Sequence, residues 1–190
     1  MSREKGGGQD VDQEQEWIRR AVRGDTDALA HLLHRHYFFL HKYMLKLTMN
    51  PSVAEDVVQD TMVRCLEKIH TYNGKMKFSS WLIMIGSRLY IDMLRRKKVE
   101  QRWQEAEQKQ AARQLRYYME SSNVEWSLLL EQLGALTAEQ RAPIVLKHYY
   151  GYSIPEIAAM LNVNEGTVKS RIHYGLAKLR KEWSKDEQAQ

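Results

Sequence analysis

Apolar residues recur at helical spacing along almost the whole chain, and only three prolines interrupt them. No run of alternating polar and apolar residues offers a half-buried strand, so apolar side chains must be buried by helices packing on helices. The fold class this predicts is all-α.

Trp17, Ile18, Ala21 and Val22 mark a short first helix that stops at Gly24. Residues 1–15, carrying glycine and charge without an apolar run, read as a disordered lead-in, neither a signal peptide nor an anchor. Asp25 or Asp27 is placed to cap a second helix with the stripe Leu29, Leu32, Leu33, Tyr37, Leu40, Met44 and Leu47, which Asn50-Pro51 ends. Ser52 with Glu55 predicts a capping box for a third helix. Its Val53, Val57, Met62, Leu66 and Ile69 face inward, leaving Glu55, Asp56, Gln59, Asp60 and Glu67 on an acidic side. Beyond a loop over 72–77, Ser79 is the expected cap of a fourth helix, with Phe78 stapled to Ile83 and a basic end at Arg95, Arg96, Lys97 and Lys98.

From 99 to 124 the chain turns to glutamine, glutamate, arginine and alanine without a sustained apolar stripe, the composition of a linker. A second apolar cluster opens with Trp126, Leu129, Leu130, Leu133 and Leu136, and Thr137 with Gln140 forms another capping box. Pro143, past the first turn of that helix, predicts a kink or a missing hydrogen bond. The expected plan is two small helical domains, 16–98 and 125–185, on a flexible linker, with a tail at 186–190.

A net charge of +5 suits a polyanionic partner, as it also suits a plain solvated surface. The single cysteine, Cys65, excludes an internal disulfide and fits a reducing cytoplasm. No stretch approaches the roughly 20 apolar residues of a membrane span, so a soluble protein is expected. Paired catalytic carboxylates, a phosphate-cradling glycine loop and metal-spaced His/Cys clusters are missing from the sequence, which predicts a non-enzyme without cofactor or metal.

The richest stretch is 153–181. Ser153-Ile154-Pro155-Glu156 is a third capping box, with proline early in the helix where its missing N–H is harmless. Ile157, Ala158 and Leu161 form the buried side, small Ala158 admits a second helix, and Asn162 tolerates a left-handed turn. Val163 plugs the turn and Asn164 caps a helix whose Val168, Ile172, Leu176 and Leu179 face the core. Glu165, Thr167, Lys169, Ser170, Arg171 and His173 then face a major groove, and Lys178, Arg180 and Lys181 suit phosphates. Lys169 and Arg171 diverge by about 200° around the helix, so they cannot meet the same base edge. Lys169 is the better groove candidate; Arg171 suits a phosphate, or packing of its stem. The competing reading is a plain helical hairpin, against which stands the coincidence of box, small residue, turn residue and polar outer face.

With both halves read, the chain resembles the extracytoplasmic-function class of bacterial sigma factors over most of residues 16–183. The resemblance rests on Arg23-Gly24-Asp25, Ala28-Leu29, Leu47-Thr48, Ala54-Glu55-Asp56, Gln59-Asp60-Thr61, Phe78-Ser79-Ser80-Trp81-Leu82 and Asp92-Met93-Leu94-Arg95-Arg96. In the second half it rests on Ser153-Ile154-Pro155-Glu156-Ile157-Ala158, Glu165-Gly166-Thr167-Val168-Lys169-Ser170-Arg171 and Lys178-Leu179-Arg180. It implies a region two that binds core RNA polymerase and opens the minus-ten element, and a region four that binds the minus-thirty-five element as duplex. By the same resemblance Glu55, Asp56, Gln59 and Asp60 meet the polymerase. The loop with Tyr72, Asn73, Lys75 and Lys77 captures a flipped base, and Trp81, Arg88, Arg95 and Arg96 line the neighbouring DNA-facing helix. An anti-sigma protein as inhibitory partner fits the class, although no motif names one.

The residues alone leave other readings of these positions: a turn on Asn73-Gly74, a core role for Trp81, and a merely solvated acidic face. The sequence also departs from the class at Thr137, where proline is frequent, and at Tyr174 and Leu176, where arginines are. A helix-turn-helix repressor or activator is the rival function, predicting tight duplex binding by the chain alone. A serine recombinase would need an α/β catalytic domain, for which there is no fold signal.

Overall fold

A computed structural model describes residues 6–100 and 133–188, with side chains described over 12–96 and 133–181. Seven α-helices and one 3-10 turn make up these residues: α1 Gly6–Val22, α2 Thr26–Thr48, α3 Pro51–Lys68, the turn Ile69–Thr71, α4 Phe78–Glu100, α5 Ala138–His148, α6 Ile154–Leu161 and α7 Glu165–Gln188. The all-α expectation holds among the described residues.

The boundaries follow capping chemistry, in several places shifted from the sequence expectation. α1 begins at Gly6, so residues 6–15 are helical and not a disordered lead-in. Glu14 ties this extension to α2 through Arg35 (3.2 Å) and His36 (3.3 Å). Asp25 caps α2, accepting from Ala28 N–H at 3.0 Å, and Met49 closes it in the left-handed conformation at φ 55°. The cap of α3 is Asn50, not Ser52: its side chain accepts from Val53 N–H at 3.1 Å, and Pro51, with φ preset, takes the first helical position. Likewise α4 starts two residues early. Its first intrahelical bond, Trp81 N–H to the Lys77 carbonyl at 3.0 Å, makes Lys77 the boundary residue in place of Ser79.

The first module is α1 to α4 around Leu32, Leu40, Met44, Leu47, Leu82 and Ile83, all essentially fully buried. Gly86 sets how close α4 comes: a Cβ there would run into the Met44 side chain and lie 2.9 Å from Thr61 Oγ1. Thr61 itself occupies a core position because its hydroxyl donates to the Val57 carbonyl at 2.6 Å. Leu66, expected inward, lies 53% exposed, since the buried stripe of α3 passes through Ala54, Val57, Val58, Thr61 and Cys65.

The second module packs α5 and α6 against α7. Both expected capping boxes form, Thr137 with Gln140 and Ser153 with Glu156. Pro143 stands inside α5 with no N–H for the Glu139 carbonyl, and the helix continues to His148. Gly175 admits α5, because a Cβ would sit 2.5 Å from Ile144 Cδ1. The linker expected from 99 starts inside α4; the rest of it, with Trp126, Leu129 and Leu130, lies outside the described residues. Three residues of the expected tail belong to α7, which runs to Gln188.

The two modules touch. Arg141 of α5 is buried and donates to three carbonyls, Leu133 (2.8 Å), Leu136 (2.6 Å) and, across the modules, Leu47 (2.6 Å). Tyr150 packs its ring edge-on against Phe39 (5.4 Å) and Tyr43 (5.8 Å) of α2. Ser80 Oγ donates to Tyr152 Oη at 3.2 Å.

Candidate nucleic-acid interface

The helix-turn-helix forms as its residues dictate. Glu156 accepts from both the Ser153 backbone N–H (2.8 Å) and the Ser153 hydroxyl (2.6 Å). These bonds hold the carboxyl below its usual range. Asn162 adopts φ 53°, turning the chain so that Val163 N–H bonds the Ala158 carbonyl at 3.1 Å. Asn164 Oδ1 then accepts from Thr167 N–H and Oγ1, both at 2.7 Å. Ile157, Ala158, Val168, Ile172 and Leu179 are buried, which fixes the rotation of α7.

That rotation sorts the groove candidates. Glu165, Lys169, Ser170 and His173 are exposed, with Lys169 Nζ 3.8 Å from the Glu165 carboxylate. Thr167 is half-buried and spent on its cap. Arg171 leans back, its side chain 20% exposed and 3.6 Å from Glu139 of α5. Lys178 Nζ donates to the Ala135 carbonyl at 2.7 Å.

In the first module the loop candidates divide by burial. Asn73, Lys75 and Lys77 are exposed; Gly74 at φ 72° makes the turn, and Asn73 Oδ1 accepts from Lys75 N–H at 3.1 Å. Tyr72 and Trp81 are buried instead, 8% and 5% exposed. Tyr72 stands edge-on to Trp81 at 5.3 Å and to Phe78 at 5.7 Å, and its hydroxyl donates to the Met76 carbonyl at 2.5 Å. Burial raises its pKa. These rings form the floor under the loop, so Trp81 takes the core role and Tyr72 offers no open face here. Arg88, Arg95 and Arg96 are exposed along α4, Arg95 lying 3.4 Å from both Asp92 and Glu139.

On α3, Asp56, Gln59 and Asp60 are exposed, whereas Glu55 is half-buried. Glu55 accepts from Tyr37 Oη at 2.8 Å and lies 3.3 Å from His41 Nε2, both on α2. Sequence reading missed Val63 and Leu66, 58% and 53% exposed among these acids. A helical wheel centred on the buried Thr61 and Cys65 would have found them. Among the described residues no group of His, Cys, Asp and Glu could hold a metal ion, and no helix is long and apolar enough to cross a membrane.

An all-helical pair of modules, one ending in a helix-turn-helix with an exposed polar face, defines a DNA-binding protein. Family models for sigma-70 region 2 and sigma-70 region 4 match residues 32–100 and 127–179. SigL of Mycobacterium tuberculosis, an ECF RNA polymerase sigma factor, is 30% identical over 164 residues, covering 86% of this chain and 93% of that protein. SigW of Bacillus subtilis, also an ECF sigma factor, is 30% identical over 176 residues, covering 87% and 94%. Among solved structures, CnrH in complex with the cytosolic domain of CnrY superposes with a TM-score of 0.63 at 26% identity, covering 92% of this chain and 99% of that one. RpoE of Bartonella quintana, bound to the anti-sigma factor NepR, shares the fold with a TM-score of 0.58 at 22% identity, covering 80% and 94%. The chain belongs to the ECF sigma factors, the proteins that bind core RNA polymerase and direct it to promoters.

Proposed function

We propose that the exposed face of α3, with Asp56, Gln59, Asp60, Val63 and Leu66, meets core polymerase; that the loop Asn73, Lys75 and Lys77 with Arg88, Arg95 and Arg96 of α4 engages the opened minus-ten element; and that α7 enters the minus-thirty-five duplex. One observation carries this reading. The acidic-apolar face of α3 and the basic face of α4 belong to different helices of one module around a shared core, so a protein partner and a polyanion can be held at once. Tyr72 and Trp81 support the loop from beneath, and Glu55 braces α3 against α2. The work is binding and positioning, with no catalytic step of its own, and its setting is the cytoplasm. An anti-sigma protein would act by covering one of these faces, as the anti-sigma factor NepR accompanies RpoE, which shares the fold.

The test is transcription in vitro with purified core polymerase and genomic DNA, mapping the start sites. Addition of the chain should create new, discrete starts that core alone does not use. A chain that binds duplex tightly without polymerase and only blocks transcription would replace this reading with the repressor.

A further inference from the structure

The strongest unexplained feature of α7 is Tyr174, a large aromatic side chain left 65% exposed on the helix read above as entering duplex DNA. Val168, Ile172, Gly175 and Leu179 are its buried side. At about 100° per residue the direction opposite them runs through Gly166, Ser170 and Ala177, with His173 and Tyr174 to either side. Lys169 and Arg171 fall on the two flanks, and Arg171 is drawn away toward Glu139. The outermost line of the helix is therefore a strip of small residues that lets the backbone come close to a groove floor. His173 and Tyr174 stand over it as large side chains. Their rings meet edge-on, 5.4 Å apart at 76°, so each limits the other's motion.

We propose that Tyr174, braced by His173, is a specificity-determining residue of the minus-thirty-five contact and reads the C5-methyl of a thymine through its ring. Within the first three turns the outward line carries no cation, so the arginine–guanine fork is not on offer there. An apolar ring facing the groove gains by covering a methyl group and gains nothing from cytosine, whose edge has none. This rests on the reading of α7 as the duplex-reading helix.

The full chain in complex with core polymerase is used to select sequences from a promoter library randomised over the minus-thirty-five segment. Each thymine of a selected site is then replaced by deoxyuridine, which removes the methyl and nothing else. At the thymine under Tyr174 the wild-type complex should lose about fourfold in affinity, the worth of one buried methyl group. Tyr174→Ala should bind thymine and deoxyuridine alike at that position and lose the preference in selection, while Tyr174→Phe should keep both. The side chain is exposed, so both variants should melt like the wild type. The inference is overturned if no deoxyuridine weakens the wild-type complex, or if Tyr174→Ala stays as sensitive as wild type. It is equally overturned if Tyr174→Phe weakens every sequence together, which would make the hydroxyl a phosphate contact. If selection returns no minus-thirty-five preference at all, the reading of α7 fails with it; a preference that Tyr174→Ala leaves intact removes only the role of Tyr174.

Discussion

Two buried cations show how single residues set the properties of this protein. Arg141 keeps its charge although burial lowers its pKa to about 10, because three carbonyls take up its forked donors. Arg141→Met would leave those carbonyls with their partner gone, and hydrogen bonds to a charged group contribute about 1.5 to 3 kcal/mol each in favourable cases. A loss of about 3 kcal/mol in urea unfolding is expected, after discounting carbonyls that water can reach. Lys46 lies under the Tyr149 ring, Nζ 4.2 Å from its centre, and burial, with Lys42 nearby, lowers its pKa to about 8 from 10.5. Below about 8 the ammonium is charged in both folded and unfolded chains; between 8 and 10.5 the folded chain holds the amine while the unfolded one stays protonated. The unfolded state then binds more protons, so this group raises stability as pH rises through that window. Cys65 acts the other way, its thiol pushed by burial from 9 up to about 12, so the unfolded chain ionises first. The comparison that isolates Lys46 is wild type against Lys46→Met: the wild type should gain melting temperature relative to the variant from pH 8 upward. A constant difference across the window would show that the amine is solvated.

At the scale of helices, what the sequence made legible was whatever depends on neighbours three or four residues apart. The boxes Thr137/Gln140 and Ser153/Glu156, the αL turn at Asn162 and the cap at Asn164 are all local, and all stand as read. The cap of α3 slipped because polar candidates sit close together, and the first usable one wins: Asn50 precedes a proline at N1 and pre-empts Ser52. Leu66 misled because Thr61 took a core place that apolar counting denied it, rotating the wheel. Tyr72 was legible as an aromatic at the loop but not as buried, since its neighbours Phe78 and Trp81 come from the next helix. Two predictions belong here. Asp56→Arg with Asp60→Arg should weaken core polymerase binding while leaving minus-thirty-five duplex binding intact, because reversed charge opposes a complementary partner; normal polymerase affinity in a folded variant would make α3 a solvated face. Asn73→Ala with Lys75→Ala should slow open-complex formation more on duplex promoters than on pre-melted ones if the loop drives opening, and equally on both if it holds exposed bases. Unchanged kinetics on both templates would remove the loop from the DNA contact.

Across the whole molecule the modules are closed upon each other in a way that no sequence period could reveal, since Arg141 and Leu47 lie 94 residues apart. Glu139 makes the consequence plain: its carboxylate lies 3.4 Å from Arg95 of α4 and 3.6 Å from Arg171 of α7. Two arginines, one on each of the helices proposed to engage DNA, thus converge on a single carboxylate. Promoter elements centred near minus ten and minus thirty-five are about 25 base pairs apart, roughly 85 Å at 3.4 Å per pair. A chain whose α4 and α7 are tied through one carboxylate cannot span that distance, so on the proposed reading engaging both elements requires the modules to separate. Among the described residues the contacts that must part include the Arg141–Leu47 bond, the Ser80–Tyr152 bond, the Arg95–Glu139 pair, Lys46 under the Tyr149 ring and the Tyr150 ring against Phe39 and Tyr43. Separation also exposes Lys46, whose amine then regains its proton, so opening is favoured as pH falls from about 10.5 to about 8 and gains nothing further from this group below that. A donor and an acceptor dye at His34→Cys and Ala159→Cys, both exposed sites, in a Cys65→Ser background, would report this directly. Energy transfer should be high in the free chain and collapse on adding core polymerase with promoter DNA, and Tyr150→Ala should lower it already in the free chain. High transfer retained in an initiating complex would mean that the closed pair engages one element at a time.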